Sequence, residues 1–266
     1  MDDLARHNQK QWDTLARARL EYTLPLLDLT PASARRRVDP DGRFGDLSGK
    51  QVLCLATGGG QQSACFALLG AQVTVLDLSA VQLERDQEAA DHYGYSIRTI
   101  HGDMRDLAAL ADRSIDLVYQ AYSLNFVPSV EPVFREVARV LRPGGGYHFQ
   151  WANPFTQSVD DQAWDGETYL LHHPYRDGFE TSLYYPTWEI EDGNGGWQTI
   201  ASPREFRHIL STVVNTLVTS GFVIQRLQEA LSEETEPAPG TWEHYKSVAP
   251  PYLSVWAVYR PAVFVR

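Results

Sequence analysis

Residues 51–65 read QVLCLATGGGQQSAC. The run from Gln51 to Thr57 is short, apolar and closed by glycine, the pattern of a strand buried on both faces. A helix is expected to follow at once, over Gln61–Leu69, and to end at Gly70. A glycine-rich turn between a strand and a helix lets a ligand approach the backbone and points helix amides at it, with Gly58 and Gly60 suited to that purpose. Such a turn can also be tight packing that binds nothing. Asp77 tips the balance toward a ligand. It closes the next strand, Gln72–Asp77, where a carboxylate can accept both hydroxyls of an adenosine ribose, although it can also cap a helix.

Moving outward, Ser79 and Gln82 fit a capping box for a helix that runs to about Tyr93 and stops at Gly94. Strands are expected at Ser96–Ile100, Ile115–Tyr119 and Gly146–Trp151. Between the last two, Val133, Val137, Val140 and Leu141 share one face of a helix ended by Pro143. This alternation specifies a parallel sheet with helices on both faces. Further on, Ser202-Pro203-Arg204-Glu205 reads as a helix start, with Phe206, Ile209, Val213 and Leu217 as its stripe and Gly221 as its end. Strands at Phe222–Leu227 and Tyr252–Tyr259 follow, separated by an acidic, proline-bearing loop in which no helix fits, so they should pair antiparallel.

The expected fold is α/β: a doubly wound, seven-stranded, mostly parallel sheet with an antiparallel last strand. Residues 1–30 form an N-terminal helical lid, with Trp12, Leu15, Ala16 and Leu20 on one face. Residues 31–266 form the main domain, in which 154–201 are an acceptor-side insertion. That insertion carries a β-hairpin, 182-SLYYPTWEI-190 and 197-WQTIA-201, around the turn 192-DGNGG-196. Lid and hairpin are read as covers over the carboxyl ends of the strands, where open α/β sheets bind ligands.

Composition narrows the partners. With 34 acidic residues against 23 basic ones and a net charge of −11, neither nucleic acid nor an anionic membrane is expected as the main partner. The basic run Arg35-Arg36-Arg37 reads as a solvated loop. Cys54 and Cys65 read as reduced core residues. The start MDDLARHNQKQWD has no apolar run of signal-peptide type, and no window reaches the roughly 18–20 apolar residues that span a bilayer. The expectation is a cytoplasmic protein. No His/Cys spacing points to a metal, since the adjacent His172 and His173 do not share a helical face.

The segments 52-VLCLATGGG-60, 75-VLDLS-79, 102-GDMRDL-107, 115-IDLVYQAYSLNFVP-128 and 134-FREVARVLRPGGG-146 occur in order. Together they resemble the class I S-adenosylmethionine-dependent methyltransferases, in particular their small-molecule branch, the type 11 and ubiquinone-biosynthesis-like enzymes. The resemblance implies S-adenosylmethionine as cofactor and S-adenosylhomocysteine as product. It implies that Thr57, Gly58, Gly59 and Gly60 run beside the methionine part, that Asp77 holds the ribose and that Leu78 packs on the adenine. Asp103 and the Met104 backbone would meet the adenine amino group, and Tyr119, Gln120 and Tyr122 would end the fourth strand beneath the methyl. Tyr22 would complete the cofactor shell from the lid. Two positions depart from the pattern: Cys54 stands where an acidic residue is usual, and Ala56 where a first glycine is usual. Alanine is a mild change there if its φ is negative.

Alignment of nucleophile, methyl and sulfur is the protein's main task in such a transfer. The acceptor is expected to be a small, aromatic or apolar molecule, met by Asn125, Trp151, Tyr184, Tyr185 and Trp188. His172 or His173 would be the base if one is needed, with Tyr122 at the reaction centre. Two other readings stay open: an NAD(P)-dependent oxidoreductase, for which Gly58-x-Gly60-x-x-Ser63 lacks the third glycine, and a non-catalytic sensor of S-adenosylmethionine.

Overall fold

A computed structural model describes residues 1–157, 159–160, 164–171, 173–191 and 196–261. Its strands are β1 (Gln51–Leu55), β2 (Gln72–Asp77), β3 (Ile97–His101), β4 (Ile115–Tyr122), β5 (Leu141–Ala152), β6 (Thr187–Glu191), β7 (Trp197–Ala201), β8 (Phe222–Glu229) and β9 (Tyr252–Tyr259). Its helices are α1 (Asp3–Arg17), α2 (Pro31–Val38), α3 (Gln62–Leu68), α4 (Ala80–Tyr93), α5 (Glu131–Val140), α6 (Leu210–Thr219) and α7 (Trp242–Val248). Seven strands form one sheet in the order β3-β2-β1-β4-β5-β9-β8. Only β9 is reversed, antiparallel to both β5 and β8. β6 and β7 form the separate hairpin. Most of its turn, residues 192–195, lies outside the described residues.

Alternation along the strands sorts the two cores, because successive side chains leave opposite faces of a sheet. Leu53, Leu55 and Val118 face one way and pack with Val133, Phe134 and Val137 of α5 and Val213 and Leu217 of α6. Val52, Cys54, Leu117 and Tyr119 face the other way, against Ala34 and Val38 of α2 and Cys65 and Phe66 of α3. Both cysteines are buried and free. Among the described residues no helix is long and apolar enough to cross a membrane.

Three local expectations fail for identifiable reasons. The stretch 202–209 is not helical. The Arg204 amide donates to Asn8 Oδ1, Phe206 N to the Asn125 carbonyl and Arg207 N to the Phe179 carbonyl. Tertiary partners thus take the amides that a helix would use, and α6 starts only at Leu210. A helix does fit between β8 and β9: α7 is capped by Thr241, whose side chain accepts from His244 N. Finally, Arg35–Arg37 lie in α2, which Pro31 and a Thr30–Ser33 capping box initiate.

Candidate active site

A cavity of about 620 Å³ opens at the carboxyl ends of β1, β2 and β4. Ala56, Thr57 and Gly58 form one part of its wall, Asp77 and Leu78 a second, and Asp103 and Met104 a third. Leu4, Asn8 and Trp12 of α1, with Tyr22 beyond it, line the same space.

The glycine turn is held from two sides. Asp77 accepts from Gly58 N through Oδ2 at 2.9 Å and from Ser79 N through Oδ1 at 2.8 Å. A Cβ at Gly58 would lie 2.6 Å from Gln82 Cβ and 3.0 Å from the Asp77 carboxyl carbon, so no side chain fits there. Gly59 and Gly60 turn the other way and do not line the cavity. Their amides donate, each at 3.1 Å, to the fully buried Asp86 carboxylate of α4, which also accepts from Ser63 Oγ at 2.5 Å. Gly60 has φ +72, and a Cβ there would strike the Arg85 carbonyl oxygen at 2.5 Å. Burial, reinforced by the Asp77 charge, pushes the Asp86 carboxyl up to about 7, and burial raises Asp77 as well. Asp86 is a residue that the sequence reading missed. Its signal was a carboxylate on the stripe of α4 that also buries Gln82 and Ala89.

Ala56 has φ +50, so the mild substitution expected for a negative angle is not what the chain carries. An L-residue in the left-handed region costs roughly 1 kcal/mol relative to glycine. Ala56→Gly is therefore expected to stabilise the fold by about 1 kcal/mol, read as a raised urea midpoint at unchanged slope. A lowered midpoint would show that the strain argument is wrong.

The N-terminal helix is fastened over this space. Arg105 donates from Nε and Nη2 to Asp103, and from Nη1 and Nη2 to Asp2 at 2.8 and 3.0 Å. Asp2 is itself the N-cap of α1, and Arg105 holds its carboxyl down to about 2. Ser79 Oγ donates to Asp13 Oδ1, Asn8 bridges to the carbonyls of Phe126 and Arg204, and Trp12 meets Phe126 edge-on at 5.2 Å.

On the far side, Tyr122, Trp188, Glu205 and Tyr252 also line a second cavity of about 360 Å³. Tyr122 donates its hydroxyl to Glu205 Oε2 at 3.2 Å. Burial pushes the Glu205 carboxyl up to about 7 and raises the Tyr122 phenol. Tyr185 belongs to the second cavity only. The remaining predicted residues that the structure describes line neither. Asn125 donates to the Phe206 carbonyl and accepts from Ala152 N, and Trp151 is core, with Nε1 on the His208 carbonyl. Tyr119 stacks on His148, and Gln120 accepts from the Tyr147 hydroxyl at 2.6 Å. Because β4 runs on to Tyr122, it is Ala121, Tyr122 and Ser123 that reach the cavity. His173 packs on Tyr184 with ring centroids 3.8 Å apart, and His172 lies outside the described residues.

A family model described as a methyltransferase domain matches residues 53–149, the part of the chain that includes Ala56–Gly58, Asp77, Leu78, Asp103 and Met104 of the first cavity. YbaJ of Bacillus subtilis (strain 168), an uncharacterized methyltransferase, is 31% identical over 241 residues, covering 86% of this chain and 91% of that protein. A ubiquinone biosynthesis O-methyltransferase of Chromobacterium violaceum is 31% identical over 153 residues, 58% of this chain and 62% of its own length. The solved structure of an S-adenosylmethionine dependent methyltransferase from Mesorhizobium loti superposes with a TM-score of 0.58 at 22% identity. It covers 88% of this chain and all (100%) of that one, so it shares the fold. A sheet with only its last strand reversed, a cavity at the strand ends and a relative matched over nearly its whole length lead to one conclusion: the chain belongs to the methyltransferase family.

Proposed function

We propose that the chain transfers a methyl group from S-adenosylmethionine to a small acceptor, aromatic or apolar, inside the cavity at the strand ends. The carrying observation is the pairing of Asp77 with Gly58 at the mouth of β1 and β2. The carboxylate keeps lone pairs for two ribose hydroxyls while its other bonds fix the turn. Gln82 Oε1, buried beside Gly59 and without a hydrogen-bond partner, supports a ligand that brings donors to this wall. In this reading Leu78 and Met104 pack on the adenine, Asp103 faces its amino group, and residues 1–30 are the lid. When bound, the cofactor supplies a methyl on a positive sulfur that leaves as a neutral thioether. The protein orients the acceptor and excludes water.

The oxidoreductase reading is disfavoured by Asp86. A dinucleotide needs turn amides for its pyrophosphate, and those of Gly59 and Gly60 are already taken by a buried carboxylate.

Thermal unfolding with S-adenosylhomocysteine and, separately, with NADH tests this. A ligand at about 100 times its Kd stabilises by roughly 2.7 kcal/mol. For a protein of this size that raises Tm by about 5–10 °C. The expected result is a shift with S-adenosylhomocysteine alone; a shift with NADH alone would overturn the proposal.

A further inference from the structure

Glu205 stands at the junction of the two cavities, and both are lined by it. One of its oxygens is used: Oε2 accepts from Tyr122. Among the described residues nothing donates to Oε1. No described arginine or lysine pairs with this carboxylate; the neighbouring Arg204 is turned away, bound to Glu180 through Nε and Nη2 at 2.7 Å each. A half-buried carboxylate that no described arginine or lysine pairs with, and with one oxygen open at a cavity junction, is placed to accept from a donor that enters there. Its backbone is fixed at the same time, because the Glu205 carbonyl accepts from Thr181 N at 2.9 Å.

The walls say what would bring the donor. Tyr122, Trp188 and Tyr252 line both spaces, and Tyr185, Trp242 and Tyr245 continue the second. Tyr122 and Tyr252 meet edge-on at 5.2 Å, and Trp242 lies nearly parallel to Tyr245 at 5.5 Å. These aromatic faces share a volume of about 360 Å³ with Thr156, Gln157, Thr181, Ser182 and Ser202, a mixed wall that suits a planar ring bearing polar groups.

We infer that the second cavity is the acceptor subsite, that its ligand is an aromatic hydroxyl compound, and that Glu205 is the catalytic residue that takes the hydroxyl proton. The inference rests on the methyltransferase reading. The proton passes from the acceptor oxygen to Glu205 Oε1. The electron pair left on oxygen forms the new O–C bond, the S–C bond breaks, and its pair stays on sulfur, so positive charge on the donor is replaced by a proton on Glu205. Tyr122 is a positioning residue: its hydroxyl holds Oε2, which leaves Oε1 toward the acceptor. The carboxyl value near 7 suits an acceptor of transferred protons at neutral pH.

The test uses two probes of equal shape, 2-naphthol and 2-methoxynaphthalene, titrated by calorimetry into the full chain saturated with S-adenosylhomocysteine. The wild-type complex should bind the naphthol at least tenfold more tightly than the ether, because only the naphthol donates to Glu205. In Glu205→Leu, which removes both acceptor oxygens, the preference should fall below about threefold while S-adenosylhomocysteine still binds. Tyr122→Phe keeps the carboxylate but releases Oε2, so the preference should fall part-way; an unchanged preference would remove the positioning role. Equal wild-type binding of both probes overturns the inference whatever the variants do, as does a preference that survives in Glu205→Leu. Failure of S-adenosylhomocysteine itself to bind overturns the methyltransferase reading first, so the two failures are distinguishable.

Discussion

Replacing Asp77 by alanine is expected to weaken S-adenosylhomocysteine binding by about two to four orders of magnitude, from the loss of two charged hydrogen bonds worth roughly 1.5–3 kcal/mol each. The same substitution releases the amides of Gly58 and Ser79, which now meet Asp77 at 2.9 and 2.8 Å, so the turn loosens where the ligand would lie. The fold should survive. Gly58 borders the cavity, so its amide can turn to water, and the apolar packing of β2 through Val73, Val75 and Leu76 is untouched. Asp77→Asn should be intermediate, since its amide nitrogen cannot accept from whichever backbone N–H it faces. Calorimetric titration alongside a cooperative unfolding curve separates the two effects. Affinity within threefold of wild type in Asp77→Ala would remove the ribose assignment.

Which features were legible in the sequence follows from how local their causes are. The strands from β1 to β5 and their intervening helices announce themselves by apolar runs, caps at Ser79 and Gly94, and glycine turns, all within a few residues of the element they delimit. The reversal of β9 was legible too, from the lack of a crossover helix, even though the seven-residue α7 was overlooked. Glu205 was hidden for the opposite reason. Ser202-Pro203-Arg204-Glu205 satisfies a local capping rule, yet Asn8, Asn125 and Phe179, far away in sequence, take the backbone bonds and leave the carboxylate facing a cavity. His173 shows the converse. It has suitable chemistry, but its ring is spent in packing on Tyr184. For the glycines, composition gave the place of the turn and could not give its facing. Gly58 borders the cavity, whereas Gly59 and Gly60 look back at α4.

That backward-facing turn makes Asp86 a source of pH-dependent stability. In the unfolded chain its carboxyl titrates near 3.8, and in the fold near 7, because burial outweighs the three donors around it. Between those values the native state keeps a proton, which Ser63 Oγ can accept in a hydrogen bond, while the unfolded chain has released it. The native state binds more protons there, so Asp86's contribution falls as pH rises from about 4 to 7 and is flat outside that window. Its neighbours Asp77, Cys54 and Tyr95 are raised as well and do not supply a counter-charge. Glu205 acts with the same sign. His148, driven down to about 3 by burial, and the similarly lowered His208 act with the opposite sign up to about 6.5. The wild-type profile is therefore a compromise, and the difference between wild type and Asp86→Asn isolates one group. At pH 5 the asparagine variant should be less stable by about 1–3 kcal/mol, because its side-chain oxygen cannot serve both glycine amides. By pH 7.5 wild type loses a further 2–3 kcal/mol at Asp86, at about 1.36 kcal/mol per pH unit, and the variant does not, so the gap should close or invert. Urea unfolding of both proteins at the two pH values measures it. A gap that stays constant to within about 0.5 kcal/mol, a limit set by extrapolation error, would mean that Asp86 is ionised in the fold and that Gly59, Gly60 and Ser63 outweigh its burial.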